Sequence, residues 1–413
     1  MLWGLGVGYV ISGEYFGWNL GLPAGGSLGL TLAFLLVTVM YVTFVFSYAE
    51  LACAIPRAGG GFVYGVRGLG RFGGYLTGVA QVIEFAFAPP AIAMAVGVYV
   101  KVWWPAVDPR LVALGCYLIF TLLNVWGVRQ AATFELVVSI LAVGELLPFA
   151  VWFYLAIEGV ANVAEEAKNP QRDIALGFGS AIATLVVLAG AVMVCGIGVG
   201  GWERIVYDAK DLTGTPGRFI IAQGAKQSDS PLPLALGQIV KPDHPLWHLL
   251  ISIGGLGLIA SLNGIILVAG RAIFEMGRVG FLPAWLGTTS TRTHTPAAAL
   301  WANFVVGVLS ILFADTGKLI TLSALGAVTL YVLSMQAVVN LRHLEPDLPR
   351  PFRVPCYPLF PRTAQALSAF VLVTMLVLNF DAKSPTQSVS VWYALVLLGS
   401  LAYYGLRFRT VSR

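Results

Sequence analysis

The chain has 413 residues, of which 58% are hydrophobic and 11% charged, with a net charge of +5 and a mean hydropathy of +0.82. A soluble domain carries about 25% charged residues, so this composition excludes a water-soluble fold and points to lipid as the solvent. The small basic excess does not indicate nucleic-acid binding, and Cys53, Cys116, Cys195 and Cys356, with no C-x-x-C spacing, support neither a metal site nor a disulfide framework.

A membrane helix needs about 20 apolar residues. Hydropathy read against glycine, proline and charge punctuation predicts twelve spans: 2–22, 28–54, 73–100, 111–126, 130–147, 148–164, 175–200, 246–277, 296–314, 318–342, 363–380 and 388–408. The 27 residues from Ala131 to Ile157 must hold two spans. Two crossings and a turn need roughly 40, so either the pair is short or an external loop is absent near Leu147. No cleavable signal peptide is expected, because the chain enters an apolar segment almost at once without a charged leader.

The first span contains "VGYVISGEYFGW", residues 7–18. Its many glycines weaken a helix and expose backbone, and Glu14 puts a carboxylate near its middle. Tight packing explains glycines at four-residue spacing but not the glutamate. A helix break at Ser12-Gly13-Glu14 explains both, since freed carbonyls and N–H groups survive in lipid only around a protected cavity. The third span carries a second acid, Glu84, between Val82-Ile83 and Phe85-Ala86. The sixth repeats the grammar of the first: "PFAVWFYLAIEGVANVAEE" runs from aromatics into Glu158-Gly159, followed by a short amphipathic piece that ends at Asn169-Pro170. Glu165, Glu166, Lys168, Arg172 and Asp173 then form a mixed-charge turn, read as solvated caps or as a gating lock. Loop 201–245 is the one sizeable polar segment, expected as an external cap of irregular or short helical structure.

With the N-terminus inside, 16 Lys and Arg fall on the inner side and 4 on the outer, loop 201–245 set aside. Both termini are therefore expected in the cytoplasm, the chain being a multi-pass protein of the cell membrane. Two interrupted helices, the first and the sixth, mark an inverted-repeat transporter with its substrate site at the midplane between the breaks. The expected fold is an all-α membrane protein of about twelve transmembrane helices. It is a LeuT-type 5+5 inverted repeat with helices 1 and 6 broken and two C-terminal helices appended. The division is 1–147 for the first repeat, 148–345 for the second and 346–413 for the last two helices.

Three longer motifs resemble amino acid–polyamine–organocation transporters: "FSYAELACAIPRAGGGFVYGVRGLGRFGGYLTGVAQVIEF", "EGVANVAEEAKNPQRDIALG" and "GRAIFEMGRVGFLPAWL", the last followed by "RTHTPAAAL". They lie in the expected order over most of residues 1–345. "VGYVISGEYFGWNLGL", "VIEFAFAPPAIAMAVG", "VWFYLAIEGVANVAEE" and "SPLPLALG" further resemble the ethanolamine permease branch. Amino acid members tend to have a Gly-Ser-Gly-Ile type break where this chain has Ser12-Gly13-Glu14. They often have Gly-Phe-Glu where it has Ala156-Ile157-Glu158, and the ethanolamine branch implies a His where it has Asn263. The resemblance places Trp152 as an aromatic lid over the site. It also places Glu145 where some bacterial members carry a Lys that replaces a sodium ion, which makes Glu145 a candidate for coupling.

Charge then bears on the substrate. Glu14, Glu84 and Glu158 can face one cavity with no intramembrane Lys or Arg beside them, and such a cavity prefers a small cation. Tyr9, Phe16, Trp18, Trp152, Phe153 and Tyr154 offer cation–π faces or plain packing surface. Glu14 or Glu84 would hold an ammonium, and Ser12, Asn263 or backbone at Gly13 and Ala156 would serve a hydroxyl. Clustered carboxylates in a low dielectric favour holding a proton, so a proton is a candidate coupling ion, with sodium or no coupling ion as the open alternatives. The leading expectation is a secondary transporter importing a small organic amine, ethanolamine first. The alternatives are an amino acid or polyamine permease or exchanger, and then a channel or membrane sensor. An enzyme is not expected, and neither is a metal or other cofactor. His244 and His248 stand four apart, but Pro245 intervenes and no H-E-x-x-H pattern accompanies them.

Overall fold

The structure is a computed structural model that describes residues 2–127, 154–166, 169–215 and 219–409. Glycine and proline set where its helices stop. Helix α1 (Leu2–Val10) ends at Ile11, a single helical turn α2 (Ser12–Tyr15) follows, and the chain becomes extended at Phe16. Gly17 then turns at φ +92, a region open to glycine at no steric cost. The interruption expected at Ser12-Gly13 thus flanks that point on both sides, because only Gly17 takes a positive φ while Ser12 and Gly13 stay in the turn.

Helix α3 (Leu22–Ala54) bends at Gly26, and α4 (Gly61–Trp103) bends at Gly70, both at positive φ. The predicted span 73–100 is therefore the longer part of α4, preceded by a short helical arm from Gly61. Helix α5 covers Pro109–Trp126. Residues Ile157–Glu166 form a 3-10 helix rather than an α-helix. Pro170, whose missing N–H costs nothing in a first turn, opens α6 (Pro170–Gly198). In the segment 201–245 stand the short helices α7 (Glu203–Val206) and α8 (Pro231–Leu236) and a two-stranded hairpin, β1 (Leu212–Thr213) against β2 (Ile220–Ile221). Then come α9 (Pro245–Arg278), α10 (Ala297–Phe313), α11 (Thr316–Leu344), α12 (Leu359–Leu378) and α13 (Val389–Arg409).

Among the described residues, eight helices are long and apolar enough to cross a membrane, with α10 a shorter apolar helix. The fold is all-α. Helix α4 forms its spine, with α11 and α9 along its length. In their most apolar stretches α4 is 83% buried while α12 and α13 are 17% buried. Leu378, Val377, Leu398 and Leu406 lie exposed on those outer helices, an apolar surface suited to lipid. The span 130–147 falls outside the described residues, and of 148–164 only the part from 154 on is described, a turn followed by the 3-10 helix. Arg67, Arg342, Arg350 and Arg407 gather at one end of the bundle, held by Glu345, Glu50 and the Gly280 carbonyl. Loop 201–245 caps the other.

Candidate functional site

The two interruptions meet in the interior. Between α1 and α2 the ladder is loosened, and Ser261 of α9 repairs it. Ser261 Oγ donates to the Tyr9 carbonyl at 2.6 Å and stands 2.7 Å from Ser12 Oγ. With Ser261's one hydrogen committed to Tyr9, Ser12 is the donor of the second bond. Gly13 and Glu14 are buried in the same turn, and among the described residues neither Glu14 oxygen has a hydrogen-bond partner. The Tyr9 ring packs over Gly159, where a Cβ would lie 3.0 Å from it.

At the second interruption Ala156 sits at φ +74, in the left-handed region that costs an alanine about 1–2 kcal/mol. That kink directs Glu158 inward, 1% exposed. Its Oε2 accepts from Tyr331 Oη of α11 at 2.9 Å, while its Oε1 has no partner among the described residues. The Glu84 carboxyl lies beside that of Glu158 and near the Ala156 N–H, with no well-formed hydrogen bond to either.

Glu84 is held from behind by its own backbone. Ser323 Oγ donates to the Glu84 carbonyl at 2.8 Å. Gly326 lets α11 come so close that a Cβ there would stand 2.6 Å from the Glu84 nitrogen. Pro89 and Pro90, the fifth and sixth residues after Glu84 in α4, lack the N–H that would bond back along the helix, leaving the carbonyls of Phe85 and Ala86 without that partner.

Aromatic side chains surround the pair. The Tyr41 ring lies 5.1 Å from Tyr154 and 5.5 Å from Tyr331, and Phe44 is 4.1 Å from Tyr331. Tyr41 Oη is 3.4 Å from Tyr331 Oη, and Thr38 Oγ1 is 3.1 Å from Tyr154 Oη. Tyr41, Tyr154, Trp18 and Met40 also line a cavity of about 260 Å³. Gly21 and Ile320 are walls shared with a second cavity of about 560 Å³ that carries Asp315, Lys318 and Asp381 at the capped end.

The structure brings Glu84 and Glu158 together, with Ala156 shaping the turn between them. Glu14 is buried separately, with Tyr154 among its electrostatic neighbours, while Ser261 ties Ser12 to the Tyr9 carbonyl in the turn before it. Asn263 is engaged elsewhere. Asn124 Nδ2 of α5 donates to its side-chain oxygen at 2.9 Å and to its carbonyl at 3.3 Å. Trp152 and Glu145 lie outside the described residues. Tyr331, Tyr41 and Ser261 were not singled out from sequence, because each sits in an apolar run with nothing local to mark it. Among the described residues no group of three or more His, Cys, Asp or Glu is placed to hold a metal ion.

A buried carboxylate pair, a tyrosine donor and aromatic faces suit one chemistry. Charge-assisted hydrogen bonds hold an ammonium, and cation–π attraction adds about 0.5–2 kcal/mol. Among the described residues no Lys or Arg pairs with any of the three acids.

Comparison with known proteins gives the family. The amino acid permease family matches residues 142–401, and a second amino acid permease family matches residues 5–153. An uncharacterized transporter of Rhizobium meliloti (strain 1021) is 24% identical over 392 residues, 84% of this chain and 78% of the relative. The vacuolar cationic amino acid transporter 4 of Arabidopsis thaliana is 24% identical over 373 residues, 77% of this chain and 58% of the relative. A probable GABA permease of Pseudomonas aeruginosa is 25% identical over 363 residues, 81% of this chain and 76% of the relative.

Proposed function

Because the chain belongs to the amino acid permease family, we propose that it is a secondary transporter moving amino acids across a cell membrane by alternating access. The observation that carries the proposal is the Glu84–Glu158 pair, buried at a helix interruption and met by Tyr331. A pair of buried carboxyls needs a compensating positive charge, and a substrate amino group supplies it. The relatives' names include cationic amino acids and GABA, all of which bear such a group. Substrate enters by the two cavities, which share Gly21 and Ile320, and reaches the pair past Tyr41 and Tyr154.

In this reading residues 1–147 and 148–345 are the two repeats that move against each other, and 346–413 are appended. The gathered arginines face the cytoplasm. A proton is the coupling ion that two adjacent carboxyls can take up in exchange for the substrate.

A second reading, a simple amine such as ethanolamine, is favoured by one observation. The third buried acid, Glu14, and the absence of a described Lys or Arg at the site leave a substrate carboxylate without a cationic partner. Uptake of labelled lysine, GABA and ethanolamine into proteoliposomes decides between them. Saturable uptake of an amino acid, lost in Glu84→Gln and Glu158→Gln, is the expected result. Ethanolamine uptake with no amino acid transport selects the second reading. Wild-type transport in both variants overturns the acidic site.

A further inference from the structure

The acid pair stands on a second polar rung. Gln81 precedes Glu84 by one turn of α4, and Asn162 follows Glu158 by about one turn of the 3-10 helix. Gln81 Nε2 donates to Asn162 Oδ1 at 3.4 Å. The same glutamine accepts, through Oε1, from the backbone N–H of Phe62 at 3.0 Å. Arg271 Nη1 of α9 donates to the Asn162 carbonyl at 2.7 Å. Both amide side chains are 1% exposed.

This rung lies between the acid pair and the end of the bundle that holds the arginines, and the loop that closes it has no side chains to spare. Gly60 sits at φ +52, and a Cβ on it would collide with Asn162 Oδ1. On Gly61 a Cβ would stand 2.6 Å from Leu330 and 3.1 Å from Tyr48 Oη. The run Gly59-Gly60-Gly61 is therefore a bare backbone plug seated on Asn162, Tyr48 and α11.

We propose that Gln81 and Asn162 are positioning residues that seal the cytoplasmic side of the site and couple the Gly59–Phe62 loop to Glu158. The proposal rests on reading Glu84–Glu158 as the substrate site. Through Gln81 the loop is tied to the helix that carries Glu84, and through Asn162 to the segment that carries Glu158. A shift of either carboxyl toward a bound ammonium pulls on the rung. The rung also breaks cheaply. A bond of 3.4 Å is long for an amide donor. Asn162 Nδ2, Tyr64 Oη and Ser334 Oγ are buried nearby with no partner among the described residues, so water entering from the cytoplasm gives each a hydrogen bond.

Hydrogen exchange of the 59–64 segment, measured by mass spectrometry on the full chain in nanodiscs, tests this directly. Asn162→Ala is expected to speed exchange there by roughly three- to tenfold, the loss of about one hydrogen bond. Asn162→Asp keeps the acceptor for Gln81 and is expected to restore protection. Saturating lysine should change exchange of this segment in the wild type and not in Asn162→Ala, whose KM should move more than its kcat. Wild-type exchange in Asn162→Ala, or equal exchange in the Ala and Asp variants, overturns the proposal. If no amino-bearing solute is transported by the wild type, the site reading fails instead, while the exchange result still decides whether the rung seals the loop.

Discussion

Single residues at the site carry conformational or electrostatic costs. Ala156 holds a left-handed backbone that glycine adopts freely. Ala156→Gly should retain transport and melt at the same temperature or slightly higher, because relief of about 1–2 kcal/mol of strain is partly offset by glycine's larger unfolded-state entropy. Ala156→Val, β-branched in the same region, should lower the melting temperature; an unchanged melt would mean the kink is not held. Among the described residues Tyr331 is the hydroxyl donor to Glu158. Tyr331→Phe removes a hydrogen bond to a group that carries charge, so KM for the transported solute should rise about tenfold, corresponding to ~1.4 kcal/mol. An unaltered KM would place the bound amino group away from Glu158. Glu14 and Glu84 were legible in sequence as charges in apolar spans. Their separation into a lone acid and half of a pair was not, since pairing depends on where α4 and the 157–166 segment pass each other.

Between elements, two contacts set the geometry. Gly326 brings α11 onto α4 at the level of Glu84. Gly326→Val should force the helices apart and cost about 2 kcal/mol or more, as overpacking of a close backbone contact does; thermal melting and loss of uptake report it together. At the arginine-bearing end, Glu50 is 2% exposed and accepts two bonds from Arg342, at 2.9 and 2.6 Å, and one from the Val354 N–H at 2.7 Å. Arg350 adds a longer contact at 3.5 Å and caps the carbonyls at the end of α11. This cluster fastens the end of α3 to α11 and to the connection leading to α12. Breaking a buried ion pair from one side costs about 3–5 kcal/mol, and partial exposure of Arg342 reduces that. Glu50→Ala should therefore lower the melting temperature by roughly 5 °C. A melt within a degree of wild type would make the cluster incidental. Helix α4 shows the limit of reading elements one at a time. Its apolar length, running through Pro89-Pro90, was evident, but the arm before Gly70 was not, because packing against neighbouring helices rather than hydropathy holds it.

At the scale of the whole molecule, the arginines at one end and the polar cap at the other give the protein a sided charge distribution. Cys356 lies exposed in the connection between α11 and α12, beside that arginine cluster. With the other three cysteines replaced, a membrane-impermeant thiol reagent should label Cys356 in inside-out vesicles and not in right-side-out ones. The reverse pattern would invert the assigned orientation. The two cavities share Gly21 and Ile320, and the larger lies at the capped end; under the proposal above, the Gln81–Asn162 rung closes the other end.

Composition and hydropathy by themselves determined an all-α membrane protein, the approximate spans and the presence of three acids where lipid tolerates none without purpose. These properties are local or additive: twenty apolar residues need lipid wherever they sit, and a glutamate among them needs a reason. The tertiary structure alone decided that Glu84 meets Glu158, that Asn263 belongs to Asn124, and that Tyr331 and Ser261 complete the two interruptions. Those pairings join residues up to 252 apart in the chain, and no local pattern encodes which face of one helix will meet another. Close approach at a few glycines settles it, and that follows only from packing the helices together.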